Sequence, residues 1–242
     1  MKRSAFRIVL FLLLACFCFS AAQADTRKLT LIMIGGDSDT EESKNNLFRN
    51  IQLSYEAFAD AEIFFVKSAG RDYSNAAALE RTETASGYLS DDGLNVVGGY
   101  SHGGQSIFFM DMEKISDIFL IDACVSIGGK CSNPEKCGEV WADWIISTVR
   151  QGVTVHLLVS IGKHDEPSGA KFALANLKKT AEKDPVLIAQ DNGWYCVLDE
   201  NGNELGQIET ALLAGNHKTI ISLVEDQVAQ YLYTLWKEAP AD

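Results

Sequence analysis

Apolar runs alternate with stretches of helical spacing along this chain. Residues 29–34 are a continuous apolar run that ends in Gly35-Gly36-Asp37. Over residues 42–59, Leu47, Ile51, Leu53, Tyr55 and Phe58 recur at helical intervals and offer a face to bury. Strand-like apolar segments return at 62–66, 94–100, 117–121, 153–161 and 186–189. Between them, 74–88, 105–115, 140–151 and 169–182 read as helices, and a long terminal helix spans 219–236. The strand-like segments are mostly apolar throughout rather than alternating. Strands of that kind are buried on both faces, as in parallel sheets covered by helices. The expected class is therefore α/β, a mainly parallel sheet of about five or six strands with helices on both faces. Residues 194–208 depart from the repeat. There Asp199-Glu200-Asn201-Gly202-Asn203 is a turn cluster between two β-prone runs, and it predicts a hairpin.

Composition changes this picture mainly at the N-terminus. Lys2, Arg3 and Arg7 form a basic head, 8–19 is an apolar run short for a membrane span, and Ala22-Gln23-Ala24 is a small-x-small site. A signal peptide over 1–24 and a single domain over 25–242 are expected, with the domain secreted or periplasmic. Leu13-Leu14-Ala15-Cys16 allows a second reading, a lipoprotein anchored at Cys16. Without residues 1–24 the chain keeps 18 basic and 33 acidic residues, a formal charge of −15. That disfavours nucleic acid or an anionic membrane as a partner. Four cysteines would remain after cleavage: Cys124, Cys131, Cys137 and Cys196. An even number in an exported chain suggests disulfides. Cys131 with Cys137 would close a short loop holding Asn133-Pro134, and Cys124 with Cys196 would follow. There is no Cys-x-x-Cys and there are no paired histidines, so neither a metal nor a cofactor is expected.

The chemistry concentrates at residues 95–105. An apolar run enters Gly99-Tyr100-Ser101-His102-Gly103, and a helix-compatible segment follows. A Gly-x-Ser-x-Gly turn between strand and helix lifts the serine above the sheet edge. It also presents backbone N–H groups at the next helix's start, where an oxyanion is favoured. In this respect the chain resembles the α/β-hydrolase superfamily. The resemblance covers nearly all of 25–242 in element order and rests on the elbow and two shorter loops. Its size is similar to that of cutinases and the smallest bacterial lipases. Two strands that usually precede the first one here are missing, so the expected fold is a trimmed α/β-hydrolase.

The resemblance implies a triad in the order serine, acid, histidine. Of the four histidines, His102 adjoins the serine and diverges from it, His156 lies inside an apolar strand, and His164 sits at a strand exit. His217 precedes the terminal helix, where the resemblance puts the base. The acid is expected after strand 153–161, in Gly162-Lys163-His164-Asp165-Glu166-Pro167. Asp165 is the candidate, with Glu166 beside it and Asp191 and Asp199 after later elements. Oxyanion donors would be the backbone N–H of His102 and that of Gly36 or Asp37. An acidic side chain at 37 must point away from the oxyanion or be paired.

These expectations amount to a monomeric serine hydrolase that cleaves carboxylic esters through an acyl-enzyme. The segment between 121 and Trp141 is short and tied by cysteines, which argues against a large lid and favours soluble or polymeric esters over packed triglyceride. The same triad would serve an acyltransferase, a thioesterase or a serine peptidase, although no cap domain that could select peptides is visible. A non-catalytic binding protein on the same scaffold is the reading from another class.

Overall fold

The computed structural model describes residues 28–36, 61–67, 72–123, 125–128, 131, 133–162, 169–217, 219–220, 223, 228 and 231. The leader at 1–24, the expected helix at 42–59 and residues 37 and 163–168 lie outside them.

The strands are β1 (Leu29–Ile34), β2 (Ala61–Val66), β3 (Leu94–Tyr100), β4 (Asp117–Ile121), β5 (Thr154–Ser160), β6 (Leu187–Ala189), β7 (Trp194–Leu198) and β8 (Glu204–Leu213). The helices are α1 (Asn75–Ser86), α2 (Gly103–Ile107), α3 (Pro134–Val149) and α4 (Gly169–Ala181). All eight strands join one sheet in the order β2-β1-β3-β4-β5-β8-β7-β6. It is parallel from β2 through to β8, and β7 and β6 add antiparallel.

The eight strands among the described residues exceed the expected five or six because the hairpin joins the main sheet. Its second strand serves two neighbours. Residues 204–209 of β8 pair with β7, and Ile208–Leu213 pair in parallel with β5. β8 is thus the sixth parallel strand, a place the hydrophobic pattern assigned to 186–189. That segment is instead a short antiparallel edge, with Ile188 46% exposed.

Strand periodicity sorts the apolar side chains to two faces. Ile32, Ile34, Val97, Leu120 and Leu157 meet Trp141, Ile145 and Leu177 of α3 and α4 on one face. Leu31, Met33, Val96, Phe119 and Leu158 meet Ile220 and Val228 on the other. Ile220, Leu223, Val228 and Tyr231 are helical, within the expected terminal helix. None of the described helices is long and apolar enough to cross a membrane.

Two helices differ from the pattern. α2 stops at Ile107 rather than running to residue 115, and the Asp111 carboxylate accepts the Glu113 N–H in a local turn. α3 begins at Pro134, six residues before the apolar stripe suggested, because Asn133 caps it and accepts the Lys136 N–H at 2.8 Å. The Cys131–Cys137 disulfide joins the chain before this helix to its first turn, with Cα atoms 4.9 Å apart. The expected Cys124–Cys196 bridge does not form: Cys196 is a buried free thiol. It lies within β7, and Cys124 lies outside the described residues.

Candidate active site

The parallel strands β1, β3, β4, β5 and β8 all end on the same edge of the sheet. Gly35-Gly36, Ser101, Asp122 and His217 follow four of those ends. Ser101 has φ +52°, a conformation that L-residues rarely adopt. Its N–H donates to Ile121 O at 3.1 Å, and its own carbonyl accepts Gly104 N–H at 3.1 Å. So sharp a turn leaves no room for side chains at the flanking glycines. A Cβ on Gly103 would come 2.1 Å from Ile34 O, and one on Gly99 2.8 Å from Gly104 N. The loop after β1 also approaches the serine: a Cβ on Gly36 would lie 3.0 Å from Ser101 Cβ.

His217 comes from the turn after β8, beside Asn216. Asn216 and Thr219 bond reciprocally, Asn216 N–H to Thr219 Oγ1 at 2.9 Å and Thr219 N–H to Asn216 Oδ1 at 3.1 Å. This box fixes the entry to the terminal helix. The His217 Nε2 lies 3.1 Å from Ser101 Oγ. Its Nδ1 lies 3.2 Å from Asp122 Oδ2. An ionised carboxylate only accepts, so Nδ1 carries the proton and Nε2 is left to accept from the serine hydroxyl. The sequence-expected serine and histidine are thus within hydrogen-bond distance of each other.

The carboxylate on the histidine is Asp122, at the end of β4. Sequence reasoning passed over it as the first residue of the cysteine loop. Asp165 and Glu166 lie outside the described residues. Asp122 is 2% exposed and has φ +48°. Ser160, the last residue of β5, donates its hydroxyl to Asp122 Oδ2 at 2.5 Å and its N–H to Oδ1 at 3.0 Å. Burial raises the Asp122 carboxyl, but hydrogen bonds from His217, Ser160 Oγ and Ser160 N–H outweigh it and hold the group below the usual carboxylate range. The signal the sequence offered was an aspartate directly after the apolar run that follows the Ser101 turn; its positive φ is a feature of the fold. The dihedral could not be read from sequence.

The other candidates are elsewhere or differently engaged. The His102 ring stacks on Tyr73 with centroids 4.2 Å apart, and its backbone N–H follows the serine directly. His156 is fully buried between Asp117 and Glu209. The Asp199 carboxylate accepts the N–H groups of Asn201 and Asn203 at 2.8 Å each, inside the β7–β8 turn. His164 and Asp37 lie outside the described residues. Among the described residues no cluster of three or more metal-ligating side chains occurs.

A largely parallel sheet with a serine on the sharp turn after a central strand is an α/β-hydrolase fold. No family model and no curated protein sequence matches the chain. Among solved structures it is similar to an uncharacterized protein from Bacillus cereus ATCC 10987, at 12% identity and TM-score 0.51, over 86% of this chain and 60% of that one. It is also similar to Est1E from Butyrivibrio proteoclasticus, at 12% identity and TM-score 0.49, over 88% of this chain and 90% of that one. YbtT, the type II thioesterase of the yersiniabactin pathway, aligns at 14% identity and TM-score 0.42, over 86% of this chain and 92% of that one. At these identities the likeness is one of fold.

Proposed function

We propose that the chain is a serine hydrolase that cleaves carboxylic esters, with Ser101 as nucleophile, His217 as base and Asp122 as the acid that orients it. One observation carries this reading: the unbroken relay from Ser101 Oγ to His217 Nε2 at 3.1 Å and from His217 Nδ1 to Asp122 Oδ2 at 3.2 Å. The Ser101 oxygen attacks the ester carbonyl while its proton passes to Nε2. Asp122 holds the imidazole in the tautomer that can accept that proton, and it stabilises the imidazolium that results. The His102 N–H and one from Gly36 or Asp37 receive the negative charge on the carbonyl oxygen. The imidazolium then protonates the departing alcohol. Water, deprotonated by His217, releases the acid from Ser101 in the second half.

Two further features belong to this reading. The leader pattern at 1–24 and the Cys131–Cys137 bridge both suit an exported protein. The described domain contributes its site from one chain, so a monomer suffices for catalysis.

The test is active-site labelling with a fluorophosphonate, read by mass spectrometry, alongside turnover of a short aryl ester. Wild type should be modified at Ser101, and Ser101→Ala and His217→Ala should not. Asp122→Asn should lower turnover on the order of 10²–10⁴-fold, whereas Asp165→Asn should leave it within about twofold. A loss at Asp165→Asn with none at Asp122→Asn would overturn the assignment of the acid. Folded wild type that takes no label would overturn the hydrolase reading and leave a binding role.

A further inference from the structure

The base must reach far to serve its nucleophile. β8 and β3 are separated by β4 and β5, so the ends of the two strands stand about 14 Å apart across the sheet. The turn carrying His217 crosses the ends of the intervening strands. At its near end it is tied to the sheet by Gly162 N–H, which donates to Gly215 O at 2.8 Å, and it is closed locally by the Asn216–Thr219 box at the helix entry. The far end, where the imidazole meets the serine, needs an anchor of its own.

Tyr100 supplies one. It is the last residue of β3 and the residue immediately before the nucleophile. Its hydroxyl donates to the backbone carbonyl of His217 at 2.6 Å. Its ring stacks on the His217 imidazole, with centroids 5.0 Å apart and planes 25° from parallel. One side chain therefore engages both the main chain and the ring of the same histidine. β3 ends at Tyr100 and Ser101 turns off it at φ +52°, so the tyrosine reaches the His217 carbonyl while the serine hydroxyl reaches Nε2. The ring is itself backed by the loop after β1: a Cβ on Gly36 would come within 3.1 Å of Tyr100 Cδ1.

We infer that Tyr100 is a positioning residue for the base, holding His217 at hydrogen-bond distance from Ser101 through both the phenol–carbonyl bond and the ring stack. The role assigned to it is to act through His217. This rests on the proposed role of His217 as the base. It assigns a function to the variable second position of the Gly-x-Ser-x-Gly turn in this chain. Nucleophile and base-anchor are then adjacent residues, and a shift of the β3 end carries both together.

The experiment is a double-mutant cycle on the full chain, with turnover of an activated aryl ester and the Ser101 labelling rate as readouts. Tyr100→Phe keeps the stack and loses one neutral hydrogen bond; kcat should fall about threefold to tenfold, with KM and melting temperature unchanged. Tyr100→Leu loses both contacts and should cost on the order of 100-fold in kcat, since small misplacements of a catalytic group have effects of that size. In the His217→Ala background, Tyr100→Phe should leave the residual rate unaltered. The inference is overturned if kcat in Tyr100→Phe and Tyr100→Leu matches wild type. It is equally overturned if Tyr100→Phe lowers the residual rate of His217→Ala by the factor it lowers wild type, which would make the effect a general structural one. A wild type that neither labels nor turns over removes the base role itself, a result distinct from the other two.

Discussion

Asp122 and Ser101 are both non-glycine residues at positive φ, and both stand where a parallel strand gives way to the site. Such conformations cost an L-residue energy and persist when surrounding contacts over-determine them. For Asp122 those contacts include two donors from Ser160 and one from His217. They also set a pH dependence. The folded carboxyl titrates below its unfolded value, so its stabilising contribution is complete above the ordinary carboxylate range and disappears as pH falls through the folded value. Thermal melting of wild type and Asp122→Asn from neutral pH downward should therefore show a stability gap that narrows with acidification. A gap that widens instead would mean that burial, not hydrogen bonding, governs this carboxyl. The meeting of Ser101 with His217 was legible in the sequence, because one serine stands in a Gly-x-Ser-x-Gly turn and one histidine precedes the terminal helix. The approach of Asp122 to that imidazole was not, because aspartates follow several strands and only packing decides which one faces it.

α3 shows how local signals compete with hydrophobic spacing. The apolar stripe around Trp141 and Trp144 suggested a start at residue 140, yet Asn133, Pro134 and Glu135 supply a cap, a preset φ and a first-turn carboxylate. Those short-range features start the helix. The disulfide then ties Cys137, in its first turn, to Cys131 six residues earlier. The same loop is held in other ways: the Trp141 indole N–H donates to Val125 O at 2.9 Å, and Ile127 is fully buried. Replacing both cysteines by serine should cost about 2 kcal/mol, the loop entropy of a short closure, while labelling of Ser101 persists. Denaturant titration beside labelling checks this, and loss of label in a still-folded variant would show that the bridge shapes the site. α2 illustrates the reverse case. Its residues could continue a helix, but the chain must turn after Met110 to enter β4 at Asp117, and the helix is short in consequence.

Across the whole molecule, a second buried polar cluster links four elements at the edge opposite the serine. His156 of β5 lies with Nδ1 2.5 Å from Glu209 Oε2 of β8 and Nε2 3.6 Å from Asp117 Oδ1 of β4. Tyr231 donates its hydroxyl to Asp117 Oδ1 at 2.8 Å and packs edge-on against the imidazole, and Phe119 stacks on the imidazole at 4.3 Å. Burial lowers the imidazole, but the two carboxylates outweigh it and raise it above its ordinary value. The cluster therefore stabilises fully below the ordinary imidazole range and weakens as pH rises through the folded value. Melting of wild type against His156→Gln should show a gap that closes as pH climbs above neutrality. A gap that is independent of pH would make His156 a neutral packing residue. The alternation of apolar strands and helices, together with the glycine spacing around Ser101, was enough to specify an α/β-hydrolase fold with a serine at its elbow, because those features depend on neighbours a few residues apart. Folding decided the rest: the pairing of β8 with β5, the free thiol of Cys196, and the meeting of Asp122 with His217, whose positions are 95 residues apart. Such contacts arise from which strand ends lie side by side in the sheet, a relation between distant segments that no local pattern of residues encodes.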